Sequence, residues 1–267
     1  VNGDSFVLST GDDGMHADAT LAITGGDIEI VYSYEGIESA VITIDGGDIH
    51  LVASDDGVNV AGGNDGSGMA PGMGRGGRPG AGGPGQDAFT YTGDYYLYIN
   101  GGSLLVEAAG DGIDVNGAVE MTGGLVVVNG PTEAMNGALD YDGTFNISGG
   151  TLIAAGSAGM AQAPGQSSSQ PSLLLTFPST LPAGALIHIQ SADGEDLLTF
   201  APLKAFQSLA FSSPDLAQGL AVEVYYDGSA TGAATGGLYL DGGYTPGEQI
   251  AAFTIANTVT QVGNRVR

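Results

Sequence analysis

The 267-residue chain contains no cysteine and no tryptophan, and it sets only five Lys and Arg against 30 Asp and Glu. Without cysteine it has no disulfide staples and no thiolate with which to hold zinc, though the absence says little else about compartment. The shortage of bases gives a formal net charge of −25. It leaves no basic patch to neutralise phosphates, which argues against nucleic acid as a partner. No run of eighteen apolar residues occurs either, so no segment reads as a membrane-spanning helix. The bases that exist lie late. None precedes Arg75, whereas twelve Asp and Glu fall between Asp4 and Asp56. Carboxylates gathered in a compact body repel one another, and bound cations are the usual remedy. Apolar residues still make up 42% of the chain and fall in short regular runs, which marks a folded protein rather than a disordered one.

Glycine is what the chain has in abundance, with 48 copies. Gly-Gly pairs recur at 25–26, 46–47, 101–102, 123–124 and 149–150, and two of the four spacings are 21 and 22 residues. A second signature keeps the same rhythm: Asp13-Gly14-Met15-His16, Glu35-Gly36-Ile37-Glu38, Asp56-Gly57-Val58-Asn59, Asp111-Gly112-Ile113-Asp114 and Glu133-Ala134-Met135-Asn136. Each period reads as three short strands. One follows the acid-Gly pair, a second leads into the Gly-Gly turn (Val41-Ile42-Thr43-Ile44), and a third leaves it (Ile49-His50-Leu51-Val52). Three short strands with their turns suit one coil of a parallel β-helix, whereas a helical repeat would need longer runs at 3.6-residue spacing. Right-handed coiling follows from the general handedness of parallel crossovers.

The expected organisation is therefore all-β: a right-handed parallel β-helix over residues 1–170, with a C-terminal β-rich cap or small sandwich over residues 171–267. A Gly/Pro/Met-rich stretch at about 61–93 interrupts the repeat. It cannot bury a core, reads as an exposed insertion, and carries Arg75 and Arg78. In the C-terminal part, strand patterns separated by turn residues such as Asp193-Gly194 signal antiparallel hairpins, suited to covering the open end of the solenoid. The chain opens at Val1 inside the repeat without an initiator Met, so a leader and further sequence are expected to have preceded it.

Aligning the signatures exposes two polar columns. Asp13, Glu35, Asp56, Asp111 and Glu133 form the first, thickened by Asp12 and Asp55; His16, Glu38, Asn59, Asp114 and Asn136 form the second, three residues later. Neighbouring strands lie about 4.8 Å apart, so stacked carboxylates repel unless a cation sits between them. No Lys or Arg falls within these coils. Calcium suits the position because it takes six to eight oxygen ligands from carboxylates, amides and carbonyls. The candidate metal ligands are Asp12, Asp13, Glu35, Glu38, Asp55, Asp56, Asn59, Asp111, Asp114 and Glu133. The bland alternative is a solvated acidic face with ordinary acid-Gly turns. His16 reads as a surface turn residue rather than a ligand.

These residues resemble a bacterial family of carbohydrate-binding domain-containing proteins, which bind cellulose and acidic polysaccharides. The likeness rests on Asp-Asp-Gly at 12–14 and 55–57, Tyr-Glu-Gly-Ile-Glu-Ser at 34–39, the Gly-Gly turns, and the insertion near 66–85. It extends through Phe211-Ser212-Ser213-Pro214-Asp215-Leu216 to Tyr244-Thr245-Pro246-Gly247. The resemblance implies a calcium-containing, polysaccharide-lyase-like right-handed β-helix with affinity for sugars and no established catalysis.

Three functions compete. A secreted or cell-surface module without catalysis would bind polysaccharide, with Tyr32, Tyr34, Tyr95, Tyr96 and Tyr98 as candidate stacking residues; edge-of-core packing is the alternative for each. A surface protein or filament subunit would assemble head to tail through open β-helix ends. A polysaccharide lyase would need a Lys or Arg base, and none lies on a coil.

Overall fold

Short β-branched runs dominate the first half of the chain, and the early ones alternate apolar with polar residues, the pattern of a strand with one buried side. The computed structural model describes residues 1–61 and 94–263 and contains β-strands but no helix among them. All but the first position of the insertion expected at 61–93, with Arg75 and Arg78, lies outside the described residues. So do Arg265 and Arg267.

The strands wind into a parallel β-solenoid of five coils with three sheet faces. On the first face, Met15, Ile37, Val58, Ile113 and Leu139 stand in register. On the second, Leu21, Ile42, Leu97, Val119 and Phe145 do so. On the third, Phe6, Ile28, Ile49, Leu104, Val126 and Leu152 stack in turn. These side chains point inward and form one continuous core.

Glycine makes the corners. The second residue of each Gly-Gly turn, Gly26, Gly47, Gly102, Gly124 and Gly150, has a φ between +79° and +117°, the left-handed region that favours glycine. Gly36, after the acid, serves another purpose. A Cβ there would run into the carbonyl oxygen of Gly57 in the next coil and lie 2.7 Å from Leu51 Cδ1.

The fifth coil differs from the sequence alignment. Gly112 N donates to Gly137 O and Ile113 N to Ala138 O, so Gly137-Ala138-Leu139-Asp140 occupies the place expected for Glu133-Ala134-Met135-Asn136. Met135 is 81% exposed, and Leu139 takes the inward place next to Ile113. The look-alike tetrapeptide lies in a turn that loops out four residues early, and the hydrogen bonds follow the later glycine.

The C-terminal region is partly fused to the solenoid. Phe206–Ser212 pairs antiparallel with Thr151–Gly156, then Ser172–Leu181 and Val259–Val262 follow in the same sheet. A separate six-stranded antiparallel sheet runs from Ala234–Thr235 through Leu238–Tyr239, Asp196–Phe200, Ile187–Ser191 and Ala221–Ala230 to Tyr244–Thr254. Its Ile187, Ile189, Phe200, Val222 and Val224 share a second core with Val127, Ile153 and Ala155 of the third face. This part therefore covers the edge of the last coil and also the flank of the third face. The reason is visible in the strands. Early third-face strands alternate, as in Ile28-Glu29-Ile30. Later ones, Val126-Val127-Val128 and Leu152-Ile153-Ala154, are apolar throughout, as a strand buried on both sides requires.

Candidate metal column

The acid-Gly turns stack as the alignment requires for the first four coils. Gly14 N donates to Glu35 O, Gly36 N to Asp56 O and Gly57 N to Asp111 O. Asp56 and Asp111 are thus neighbours although 55 residues separate them. In the fifth coil the acid position is held by Gly137, and Glu133 is exposed outside the column. Asp12 and Asp55 do not adjoin. Tyr34 stands between them, donating its N–H to Asp12 O and accepting from Asp55 N; Gly110 follows in the fourth coil.

Three residues further on, the second column runs His16, Glu38, Asn59, Asp114 and Asp140 in strict register. It is deeply placed: Glu38 is fully buried, Asn59 is 2% exposed and Asp114 is 7% exposed. Gln162 continues the line by donating to Asp140 Oδ1 at 3.1 Å.

Two groups of ligand atoms converge. Asp56, Asp111 and Asp114 bring one carboxylate oxygen each within 4.8 Å of one another. Part of this carboxylate chemistry serves the turns. Asp56 Oδ1 accepts the backbone N–H of Asp111 at 2.6 Å, and Asp111 Oδ1 accepts that of Gly137 at 2.5 Å. Beside them Asn59, one register step from Asp114, has a buried Oδ1 with no hydrogen-bond partner. A buried amide oxygen left so costs free energy. A hard cation that accepts amide oxygens would relieve that cost, so this donor set fits calcium chemistry.

The second group is Asp13, His16 and Glu38. His16 Nδ1 lies 2.5 Å from Glu38 Oε2 and 3.5 Å from Asp13 Oδ2, while Nε2 faces Asp18 Oδ1 at 3.2 Å. The Asp18 carboxylate raises the imidazole pKa most; partial burial opposes it, and Glu38 and Asp13 add to the rise. The residue read from sequence as a surface turn thus stands among the candidate ligands. Its signal was its place at the head of the Glu38 column.

The tyrosines do not form one surface. Tyr32 is half-exposed at the end of a third-face strand, Tyr34 belongs to the acid turn, and Tyr95 packs against the solenoid core. Tyr96 and Tyr98 lie together on the outside of the second face, their rings 5.7 Å apart and 11° from parallel. On the third face, His50 bridges Glu29 and Glu107 at 3.0 Å each, a ladder the sequence reading did not single out.

Lys204 is the single Lys or Arg among the described residues, and it donates to the backbone oxygen of Ala108. Burial lowers its pKa, with Glu107 opposing the shift. The described residues include no helix long and apolar enough to cross a membrane. No protein-family model, curated protein or solved structure matches the chain.

Proposed function

We propose that the chain is a non-catalytic, calcium-binding β-solenoid of the cell surface or extracellular space that binds polysaccharide, cellulose or a uronate-containing polymer. The observation that carries this reading is the in-register meeting of Asp56, Asp111 and Asp114 across two coils. Calcium at such a column offsets the mutual repulsion of the carboxylates, and an ion with open positions also takes uronate oxygens from a sugar. The family resemblance carried by the Asp-Asp-Gly and Gly-Gly motifs points the same way. Tyr96 and Tyr98 supply a paired aromatic surface for a sugar ring. The one described Lys is engaged with a backbone carbonyl rather than aimed at the column, which favours a binding role over a lyase. Co-sedimentation with cellulose and with pectate, in calcium and in chelator, tests the reading. Retention on neither polymer in calcium would sink it.

The alternative, a filament subunit, draws on the edge strand Ser5–Ser9, which among the described residues pairs on one side only. Phe206–Ser212 weighs against it. That strand runs antiparallel along Thr151–Gly156, where a parallel coil of the next subunit would have to continue the third face.

A further inference from the structure

The insertion falls inside the third coil, after its first-face strand Val58–Val60 and before its second-face strand Tyr96–Ile99. The solenoid is therefore assembled from two stretches of chain, residues 1–61 and residues 94 onward, meeting along a seam on all three faces. On the second face the seam joins Val41-Ile42-Thr43-Ile44 to Tyr96–Ile99, and on the third it joins residues 48–53 to Ser103–Ala108. On the first it joins Val58–Val60 to Ile113–Val115, the shortest of the three ladders. Stretching the separation of stacked turns from the usual 21 residues to the 55 between Asp56 and Asp111 makes chance closure about fourfold rarer.

Two sides of the seam are stitched by matched side chains. His50 Nε2 meets Glu107 Oε1 at 3.0 Å on the third face. Asn100 Nδ2 donates to Asp45 Oδ1 at 2.8 Å at the Gly-Gly turn. On the first face the stitch runs from side chain to backbone, Asp56 Oδ1 accepting the Asp111 N–H at 2.6 Å. There Asp56 and Asn59 from one stretch meet Asp111 and Asp114 from the other. Asn59 supplies the independent sign of a ligand: its Oδ1 is buried beside Asp114 with no hydrogen-bond partner, and the residue is 2% exposed.

We propose that a hard divalent cation, calcium by its ligand preference, is held by Asp56, Asn59, Asp111 and Asp114 and fastens the two stretches of chain across the first face of the seam. The inference rests on the calcium reading above and adds a location and a consequence to it. Cohesion of the solenoid's two parts depends on the ion, while pairing within coils one and two does not. The Asp13–His16–Glu38 group lies wholly within the first stretch and has no such effect.

Hydrogen exchange of the whole chain, followed by mass spectrometry in millimolar calcium and then in chelator, tests this. Calcium removal is expected to expose Gly57 and Val58, whose amides donate across the seam, and Asn116, whose amide donates to Val60 O. The pairing of Ile28-Glu29-Ile30 with Ile49-His50-Leu51 keeps its protection. Asn59→Ala and the isosteric Asp114→Asn should each weaken calcium binding by roughly tenfold in titration calorimetry, without changing seam exchange in chelator. Calcium that binds while seam protection stays unchanged, or that loosens all coils alike on removal, overturns the seam role and leaves the calcium reading standing. No calcium binding at all overturns both.

Discussion

Asp56 Oδ1 accepts the backbone N–H of Asp111 at 2.6 Å, joining two turns that lie 55 residues apart. One oxygen of this carboxylate thus does structural work, stacking one acid turn on the next. The same side chain also meets Asp111 and Asp114 at the candidate metal position. The two uses make different demands, and substitution separates them.

Calcium removal is the broadest measurement. A ligand at a hundred times its dissociation constant stabilises the native state by about 2.7 kcal/mol. For a chain of this size that corresponds to roughly 5–10 °C in the melting midpoint. A midpoint indifferent to calcium and chelator contradicts the calcium assignment.

Asp111→Asn keeps an oxygen that can accept the Gly137 N–H while removing a charge. In chelator the variant should melt close to the parent, because the turn hydrogen bond to Gly137 is kept. In calcium it should lose most of the ion's stabilisation. Asp111→Ala also abandons the turn hydrogen bond and should cost about 1–3 kcal/mol under both conditions. Equal losses for the two variants in chelator would show that the turn hydrogen bond to Gly137 is immaterial there.

Gly36→Ala tests the stacking of turns directly. The new methyl would collide with the Gly57 carbonyl and crowd Leu51 Cδ1 at 2.7 Å, both in the interior of the coil stack. A loss of roughly 1–3 kcal/mol in urea unfolding is expected, as for other overpacked sites. Gly11→Ala, where an added methyl meets nothing within 4 Å, is the control and should be close to neutral.

Acid should loosen the C-terminal sheet through His188. This imidazole is fully buried and stacked on Tyr244 at 3.9 Å, with Nδ1 on Thr199 Oγ1 at 2.9 Å and Nε2 3.4 Å from Asp196. Burial lowers its pKa below the ordinary histidine value of 6.5, and Asp196 only partly offsets this. The unfolded chain therefore binds the proton more readily. The contribution is intact above about pH 6.5 and fades as pH falls from there toward the depressed native value. His188→Gln should flatten the fall in stability over that range. An unchanged pH profile would remove His188 from the account.

Tyr96→Ala and Tyr98→Ala address sugar binding apart from folding. Both rings are only half-buried on the outer side of the second face. If they stack on a sugar, the double variant should bind polysaccharide roughly tenfold more weakly at an unchanged melting midpoint. Undiminished binding would direct the search to the acid column.

Much of the solenoid was legible because its cause is local and repeated. Ile37, Val58 and Ile113 follow acid-Gly pairs in like fashion, and any coil that must turn at one place and bury one side chain next to it leaves that mark. His16 was harder to read. A lone histidine after a turn has many uses, and only register against Glu38 shows which carboxylates surround it. The meeting of Asp56 and Asp111 across the insertion was legible from the aligned acid-Gly signatures, whereas the side-chain oxygen of Asp114 is brought to them only by the fold.

The repeat, the acid column and the all-β class were determined by the sequence itself, because period, turn chemistry and side-chain alternation are properties of neighbouring residues. Tertiary structure alone decided that Gly137 rather than Glu133 completes the fifth turn, since two similar tetrapeptides four residues apart are told apart only by the hydrogen bonds they can reach. It also decided that the C-terminal sheet lies along the flank of the third face as well as at the end of the last coil. That outcome depends on which apolar surfaces meet, and Val127 and Ile153 carry no mark of their distant partners Ile189 and Phe200.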